Sequence, residues 1–231
     1  MDALILAGGL GTRLRGVVSD VAKPMAPVNG KPFLSYVLDW ICDYKLNSLV
    51  ITAGYKAESI IEHFGNCHRT TSVIYVVEKE PLGTGGAIIN ALGRLKGNNI
   101  LVVNGDTWFP LNIDEFALFH LESGAQISVA LKRMQEFDRY GTVTMNGNEI
   151  SAFSEKKYCA DGLINGGIYM IRRDFLQSVG LTGKFSFEKD VLEKATGSGI
   201  LMGKVFNEQF IDIGIPEDYK KAGEIMNFDL L

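Results

Sequence analysis

The segment that decides the fold is residues 1–27, whose sequence is MDALILAGGLGTRLRGVVSDVAKPMAP. Its apolar run Asp2–Ala7 predicts a buried strand, which continues directly into a glycine-rich turn at residues 8–13. Glycines let backbone N–H groups come close to phosphate oxygens, and the arginine in this turn adds a planar set of donors that fits phosphate. Lys23 follows, directly before Pro24, and adds a second cation. Together these residues predict a site for a nucleoside triphosphate.

The composition is that of an ordinary globular protein, with 231 residues, 46% hydrophobic and 22% charged. The net charge of -4 argues against a general nucleic-acid binder, which needs a basic surface. We find neither a signal peptide nor an apolar run long enough to span a bilayer. Three widely spaced cysteines predict reduced thiols. We therefore expect a cytoplasmic protein whose partners include neither nucleic acid nor a membrane.

Strands and helices alternate along the first half of the chain. Apolar runs at Ser48–Ala53 and at residues 72–77 and 100–103 predict strands that are buried on both faces. The intervening residues Ala57–Phe64 and 85–95 have the pattern of helices. This alternation favours an α/β fold with a mostly parallel sheet, in which ligands bind beyond the carboxyl ends of the strands.

The pattern changes after residue 133. Residues 141–145 and Glu149–Phe153 flank an Asn-Gly dipeptide at 146–147, which predicts a β-hairpin. Residues 163–171 have the pattern of another strand with glycines inside it, and residues 187–195 that of a helix. We expect this second part to complete the same sheet and to add a small antiparallel hairpin or lid.

The glycine turn does not match two familiar phosphate loops. The Walker pattern G-x-x-x-x-G-K-[ST] is absent, and Leu14 occupies the third glycine position of a dinucleotide fingerprint. A tight turn with an exposed arginine would explain two glycines alone. Three glycines together with Arg13 and Lys23 favour phosphate binding.

Two aspartates stand at the ends of predicted strands. Asp106 follows the strand at 100–103, and Asp212 follows an apolar pair at 210–211. Each aspartate taken alone fits a helix cap or a turn equally well. Two such carboxylates in one α/β chain could also converge on Mg²⁺, a hard cation that takes carboxylate and phosphate oxygens.

The stretch LAGGLGTRL, followed by Lys23-Pro24-Met25, resembles the signature of sugar-1-phosphate nucleotidyltransferases. The resemblance implies that a sugar 1-phosphate attacks the α-phosphorus of an NTP, giving an NDP-sugar and pyrophosphate. It also implies a Rossmann-like, GT-A-like mixed sheet with helices on both faces and a sugar-binding hairpin. It covers residues 1–231 as a single domain, with a nucleotide-binding half at 1–133 and a sugar-phosphate-binding half at 134–231.

The resemblance also implies roles for individual residues. The catalytic residues would be Arg13, Lys23 and Asp106, and the ligands of Mg²⁺ would be Asp106 and Asp212. The nucleotide-binding residues would be Leu6, Ala7, Gly8, Gly9, Gly11, Thr12, Arg13, Glu78, Gly83 and Thr84. The sugar-phosphate-binding residues would be Lys23, Gly141, Glu155, Lys156, Asn165 and Gly166.

The base is predicted from Glu78, where many family members carry a glutamine. A carboxylate only accepts hydrogen bonds, and guanine offers a paired N1–H and N2–H₂, whereas uracil and thymine present one N–H between two carbonyls. Glu78, or alternatively Glu80, therefore favours GTP. The competing interpretation is a charged loop that faces solvent.

The pattern over residues 11–34 is most similar to the heptose 1-phosphate guanylyltransferases of this family. The resemblance thus implies GTP and D-glycero-α-D-manno-heptose 1-phosphate as partners, and GDP-heptose for bacterial surface polysaccharides as product. Mannose-1-phosphate guanylyltransferase and a uridylyl- or thymidylyltransferase are the alternatives. A non-catalytic nucleotide-sugar-binding regulator is disfavoured, because Arg13, Lys23, Asp106 and Asp212 are all present. We expect a symmetric homodimer, the commonest oligomer of soluble enzymes.

Overall fold

The opening strand lies in the middle of one large sheet. The computed structural model describes residues 1–9, 11, 14, 18 and 21–226. Strand β1, Asp2–Ala7, pairs in parallel with Ser48–Ala53 on one side and with Asn99–Asn104 on the other. Because neighbours and helices cover it on every side, its apolar sequence is accounted for.

The described residues form the following elements. The helices are α1 Phe33–Ile41, α2 Ala57–Phe64, α3 Gly83–Ala91, α4 Ile113–Glu122, α5 Arg173–Ser178 and α6 Pro216–Ile225. The strands are β1 Asp2–Ala7, β2 Pro27–Val28, β3 Lys31–Pro32, β4 Ser48–Ala53, β5 Cys67–His68, β6 Thr71–Val77, β7 Asn99–Asn104, β8 Thr107–Trp108, β9 Ile127–Phe137, β10 Thr142–Asn146, β11 Glu149–Phe153, β12 Cys159–Arg172, β13 Leu201–Phe206 and β14 Ile211–Asp212.

The large sheet is mixed and includes strands from both halves of the chain. Its order among the described residues is β10-β11-β13-β9-β12-β7-β1-β4-β6-β5. Strands β7, β1, β4 and β6 are parallel, and β12 joins the second half by pairing antiparallel to both β7 and β9. The predicted hairpin is β10–β11, and it forms an edge of this sheet.

Side chains along β1 alternate between two hydrophobic cores. Ala3, Ile5 and Ala7 pack with residues of α1, α2 and α4, whereas Leu4 packs with residues of α3 and α5 on the opposite face. Successive side chains of a strand point to opposite faces, so one apolar run serves both cores. The prediction of an α/β sheet with helices on both faces is confirmed.

The strand predicted at residues 163–171 is longer than expected. Strand β12 begins at Cys159, because β9 continues to Phe137 and pairs with Cys159, Asp161 and Gly162. The added residues 159–162 are half-buried or exposed and do not form an apolar run, so the hydrophobic pattern did not reveal them.

The helix predicted at residues 187–195 has a different geometry. Glu188–Leu192 winds as a wider π-type turn, and Glu193–Ala195 follows as a 3₁₀ turn. The hydroxyl of Thr84 in α3 accepts a hydrogen bond from the amide of Phe187, so a distant residue satisfies the start of this turn.

Candidate active site

A cavity of about 320 Å³ lies at the carboxyl ends of the parallel strands. Four strands contribute to its wall: Gly8 follows β1, Thr52 lies near the end of β4, Glu78 follows β6, and Asp106 follows β7. This is where ligands bind in open α/β sheets. A second cavity, of about 490 Å³, lies at the opposite end of β7 beside His120 and includes none of the predicted site residues.

The glycines of the opening turn meet different needs. A Cβ on Gly8 would stand 2.8 Å from the Oε1 atom of Glu78, so only glycine lets this carboxylate approach. Gly11 has a φ of +56°, and a Cβ there would stand 2.8 Å from that of Lys23. A Cβ on Gly9 would meet none of the described residues within 4 Å, although Gly9 lines the cavity. Because packing against these residues does not require glycine at this position, the open space beside it suits a ligand.

Lys23 lies between the two strand-end aspartates. Its Nζ atom is 2.5 Å from Oδ2 of Asp106 and 3.5 Å from Oδ1 of Asp212. The aspartates meet because β8 and β14 form a small antiparallel ladder in which Asp212 pairs with Thr107, and because the amide of Ile213 donates to the carbonyl of Asp106. Residues that are 83 and 189 positions apart thus form one charged cluster.

The charges of this cluster depend on one another. Burial alone would lower the pKa of Lys23, but the two carboxylates outweigh it, so the pKa lies above its ordinary value. Burial and the charge of Asp106 raise the pKa of Asp212, although Lys23 and the amide of Gly214 act in the opposite direction. Asp212 therefore needs a cation nearby to hold its negative charge.

The donor set fits a divalent metal ion that is shared with a phosphate ligand. The ammonium group already occupies the space between the carboxylates, so a positive charge fits there. In the part of the chain that the structure describes, no group of three or more His, Cys, Asp or Glu side chains could hold a metal. Mg²⁺ commonly takes one or two carboxylates and completes its shell with phosphate oxygens and water.

Glu78 is nearly buried and faces the glycine turn. It is 9% exposed, and its Oε2 atom accepts a hydrogen bond of 3.2 Å from the amide of Leu82. Burial raises its pKa, and this amide only partly offsets the effect. Glu80 is exposed. The structure thus places Glu78 in the cavity wall, which the alternative of a solvent-facing loop did not anticipate.

Gly83 and Thr84 line the cavity at the start of α3, but packing also explains their identity. Gly83 has a φ of +71°, and a Cβ there would stand 2.5 Å from the carbonyl oxygen of Phe185. The Thr84 hydroxyl donates to Glu188 at 2.6 Å. Packing against Phe185 therefore explains why residue 83 is a glycine without any contact with a nucleotide base.

Asn165 and Gly166 lie at an irregularity in β12. Between Asn165 and Tyr169 this strand has three residues, whereas β9 has one between their partners Leu131 and Val129. The Oδ1 atom of Asn165 accepts a hydrogen bond of 2.9 Å from the amide of Gly167, which stabilises the bulge. Gly166 is buried, and a Cβ on it would stand 2.8 Å from the ring of Phe109. Packing thus explains this glycine as well.

Gly141, Glu155 and Lys156 lie at the hairpin end of the sheet. A Cβ on Gly141 would stand 2.4 Å from the carbonyl oxygen of Ser154, so the glycine allows the chain to pass beside the loop after β11. Glu155 and Lys156 are exposed in that loop, beyond the end of the strand. Neither side chain lines the cavity, so the structure does not join them to the Lys23 cluster.

The remaining predicted residues divide into three groups. Leu6 lines the cavity, whereas Ala7 is buried in the core beneath it. Thr12 and Arg13 lie outside the described residues. Six lining residues were not predicted, namely the polar side chains Thr52, Asn104 and Lys184 and the apolar ones Pro24, Pro81 and Ala87.

Asn104 carried a signal that could have identified it, whereas Lys184 did not. Asn104 precedes Gly105-Asp106 at the strand end, and its buried Oδ1 atom has no hydrogen-bond partner among the described residues. An orphaned acceptor beside a cavity fits a ligand that donates a hydrogen bond. Lys184 is one lysine in a glycine-containing loop, and nothing local distinguishes it from a surface charge.

Comparison with known proteins gives closely related sequences over nearly the whole chain. The chain is 44% identical over 222 residues to a D-glycero-alpha-D-manno-heptose 1-phosphate guanylyltransferase of Aneurinibacillus thermoaerophilus, covering 96% of each protein. A protein of the same name from Campylobacter jejuni is 41% identical over 95% of this chain and 97% of its own length.

Solved structures agree with these relatives. HddC from Yersinia pseudotuberculosis, also solved in complex with GMP-PN, has a TM-score of 0.87 and 36% identity, covering 98% of this chain and 99% of its own. Residues 2–227 match the family described as Nucleotidyl transferase, whose members generally use a divalent metal ion. The resemblance inferred from the opening segment is thereby confirmed, and the chain belongs to the nucleotidyl transferase family.

Proposed function

We propose that this protein transfers a guanylyl group from GTP to D-glycero-α-D-manno-heptose 1-phosphate, giving GDP-heptose and pyrophosphate. The observation that carries the proposal is the contact of Lys23 with Asp106 and Asp212 beside a cavity that Lys23, Asp106 and Glu78 line. The activity named for the relatives and the GMP-PN complex of HddC agree with this proposal. The product would serve bacterial surface polysaccharide synthesis.

The reaction needs positioning and charge neutralisation more than a general base. A phosphate oxygen of the sugar 1-phosphate attacks the α-phosphorus of GTP, and the bond to the β-phosphate oxygen breaks as pyrophosphate leaves. The attacking oxygen is already ionised near pH 7, because a phosphate monoester has a second pKa of about 6. The barrier therefore lies in bringing two polyanions together, which cations offset.

Asp106 and Asp212 are the residues that would hold Mg²⁺. When bound, the ion would neutralise the negative charge that develops on the phosphates in the transition state. Lys23, which contacts both aspartates, would bind the phosphates of both substrates, as the resemblance implies. Arg13 would contact the reacting phosphates and the leaving pyrophosphate, as the resemblance implies.

The nucleotide would lie along the glycine turn. Backbone amides of Gly8, Gly9, Gly11 and Thr12 would hold the triphosphate, with Leu6, Ala7, Gly83 and Thr84 around the nucleoside. The open space beside Gly9 supports this arrangement.

Glu78 would accept hydrogen bonds from N1–H and N2–H₂ of guanine. Its partial burial supports this role, because a carboxylate in a poorly solvated site favours a ligand that offers two donors.

The sugar phosphate would meet residues from the second half of the chain. These are Gly141, Glu155, Lys156, Asn165 and Gly166, together with Lys23. The side chain of Asn165 contacts Tyr169 and Gly167, and with respect to the described residues one N–H and one lone pair are left for a ligand. The exposed Glu155 and Lys156 would have to approach the cavity when substrate binds.

Two other kinds of enzyme and one non-catalytic protein are the alternatives to this function. Mannose-1-phosphate guanylyltransferase would use the same base and a smaller sugar, and a uridylyl- or thymidylyltransferase would use another base. A regulator that binds a nucleotide sugar without turnover belongs to a different class of protein. Turnover itself separates this last class from the enzymes.

The test is a pyrophosphate-release assay over a grid of GTP, UTP, dTTP and ATP against heptose, mannose and glucose 1-phosphates, with and without Mg²⁺. We expect release with GTP and heptose 1-phosphate only when Mg²⁺ is present. Release with UTP but not GTP would overturn the guanylyl assignment, and no release in any combination would favour the regulator.

We further propose that residues 1–231 form one nucleotidyltransferase domain in the cytoplasm. The support for one domain is that a single sheet takes strands from residues 1–133 and from 134–231. The free thiols of Cys42, Cys67 and Cys159 agree with a reducing compartment. Among the described residues, none of the helices has the length and apolar character to cross a membrane.

A further inference from the structure

The segment 183–187 forms one wall of the cavity through Lys184 and packs directly on the first turn of α3. The carbonyl of Phe185 accepts hydrogen bonds from the amides of Gly85 and Gly86, at 3.1 and 3.4 Å. A Cβ on Gly85 would stand 2.1 Å from the Phe185 ring, so no side chain fits between the two elements. The position of this wall therefore depends on the residue that anchors it.

Glu188 is that anchor. Its Oε2 atom accepts hydrogen bonds from the hydroxyl of Thr84 at 2.6 Å and from the hydroxyl of Ser186 at 2.8 Å. The Thr84 hydroxyl in turn accepts from the amide of Phe187 at 2.9 Å. One carboxylate oxygen thus joins the start of α3 to the C-terminal end of the segment, at Ser186 and Phe187.

The second oxygen of Glu188 faces strand β12. The hydroxyl of Tyr169 donates to Oε1 of Glu188 at 3.4 Å, and Nδ2 of Asn165 donates to that hydroxyl at 3.0 Å. The ring of Tyr169 is fully buried and contacts Phe187 edge-on, with ring centroids 5.3 Å apart. Asn165 then accepts from the amide of Gly167. A continuous chain of hydrogen bonds therefore runs from Thr84 to the bulge of β12.

This chain joins two regions that the proposed function assigns to different substrates. Thr84 lines the cavity and is assigned to the nucleotide, and Asn165 in the bulge of β12 is assigned to the sugar phosphate. Loss of a half-buried carboxylate that accepts three hydrogen bonds would leave the hydroxyls of Thr84, Ser186 and Tyr169 without this acceptor, a larger effect than loss of a surface contact.

We propose that Glu188 is a positioning residue that holds the GTP-binding start of α3 and the sugar-binding bulge of β12 in one geometry. The proposal rests on the proposed function, since it concerns the same two substrates. Glu188 contacts neither substrate; it acts through Thr84 and through Tyr169 and Asn165.

The test measures KM for GTP and for heptose 1-phosphate separately in wild type and four variants. We expect Glu188→Ala to raise both KM values about tenfold, because both ends of the chain lose their acceptor. Tyr169→Phe keeps the ring but removes the hydroxyl, so the KM for the sugar phosphate should rise several-fold while that for GTP stays the same.

Two further variants serve as rescue and control. Glu188→Gln keeps an oxygen for Thr84 and Ser186, so the KM for GTP should stay close to that of wild type. Glu193→Ala removes an exposed carboxylate from the next turn and should change neither KM. Circular dichroism and the unfolding temperature of each variant show that it is folded; Tyr169→Phe provides the answer if Glu188→Ala does not fold.

The outcomes separate this inference from the proposed function. If the wild-type protein shows no turnover, the proposed function is wrong, and the inference is wrong with it. If the wild type is active but both KM values are unchanged in Tyr169→Phe and in every folded Glu188 variant, the inference is wrong while the proposed function stands. This holds even if the variants have a lower unfolding temperature. A rise of both KM values in Glu188→Ala, or of the sugar KM alone in Tyr169→Phe, supports it.

Discussion

Among single residues, Asp212 most needs a compensating positive charge. This carboxylate is only 24% exposed and lies beside a second carboxylate, so burial and repulsion both act against its negative charge. Lys23 provides the compensating charge when phosphates are absent. A metal ion bound together with GTP would replace that compensation and free the lysine for the phosphates.

The first prediction concerns this cluster. Asp212→Asn keeps the size of the side chain but removes its charge, so kcat should fall about a hundredfold through weaker metal-assisted stabilisation of the transition state. Steady-state kinetics at saturating GTP with a Mg²⁺ titration measures the effect. Asp114→Asn, an exposed position on α4, is the control and should stay at the wild-type rate. A kcat of Asp212→Asn within twofold of wild type would refute the metal role.

The second prediction concerns base selection. Glu78→Gln replaces an acceptor-only side chain with an amide, so kcat/KM for GTP should fall at least tenfold relative to that for UTP, because guanine loses one of two accepting oxygens. The matched control is Glu80→Gln, two residues away and exposed, whose preference should not change. An unchanged ratio of GTP to UTP in Glu78→Gln would remove the role of Glu78 in reading the base.

At the scale of elements, the contact between α3 and the segment 183–187 explains a glycine cluster that the sequence linked only to a ligand. The motif Gly83-Thr84-Gly85-Gly86 lies under a segment whose backbone approaches within van der Waals distance. Its glycines permit that packing, and its threonine joins the hydrogen bonds of Glu188. The cavity wall is consequently as sensitive to packing as to direct contact with ligand.

The third prediction tests this packing. Gly85→Ala should lower the free energy of unfolding by about 1–3 kcal/mol, because the added methyl overlaps the Phe185 ring and one of the two must move. Gly93→Ala is the control, since a Cβ there meets nothing within 4 Å, and it should leave stability unchanged or slightly raised. Chemical denaturation measures both, and equal stabilities of the two variants would show that the contact is not tight.

Sequence reasoning succeeded where the signal is local. Strand β1, the glycine turn and Lys23 lie within one short segment, and strand-end aspartates follow from the rule that ligands bind at carboxyl ends. It did not find Lys184 or the chain through Glu188, because Thr84 and Glu188 are 104 residues apart and no local pattern encodes their contact. It also assigned Gly83 and Gly166 to ligands, whereas Phe185 and Phe109 already require glycine there.

At the scale of the whole molecule, the fourth prediction concerns His120 and stability at acidic pH. His120 is 2% exposed, and burial lowers its pKa from 6.5 to about 4. The unfolded chain then binds a proton more readily than the native state, so this contribution to stability is complete above pH 6.5 and is lost as the pH falls towards 4. Between pH 7 and pH 5 the loss should be about 2 kcal/mol.

His120→Asn isolates this effect. The amide can still bond the hydroxyl of Ser128, which the imidazole contacts at 2.8 Å, but it does not titrate. Denaturation at pH 7 and pH 5 should show a smaller loss of unfolding free energy in the variant than in wild type. An equal loss in both proteins would mean that burial does not lower the pKa of His120 in the folded state.

The expected homodimer stays a prediction at this scale. Light scattering should give a mass near twice the 25.4 kDa of one chain. A mass that remains that of the monomer as protein concentration rises would contradict it.

The transfer of a guanylyl group from GTP to a heptose 1-phosphate can be followed directly by ³¹P NMR of the complete reaction. With GTP, D-glycero-α-D-manno-heptose 1-phosphate and Mg²⁺, we predict equal amounts of GDP-heptose and pyrophosphate. Lys23→Ala should form both products far more slowly. Formation of GDP and inorganic phosphate instead, or an unchanged spectrum with wild-type protein, would contradict the account.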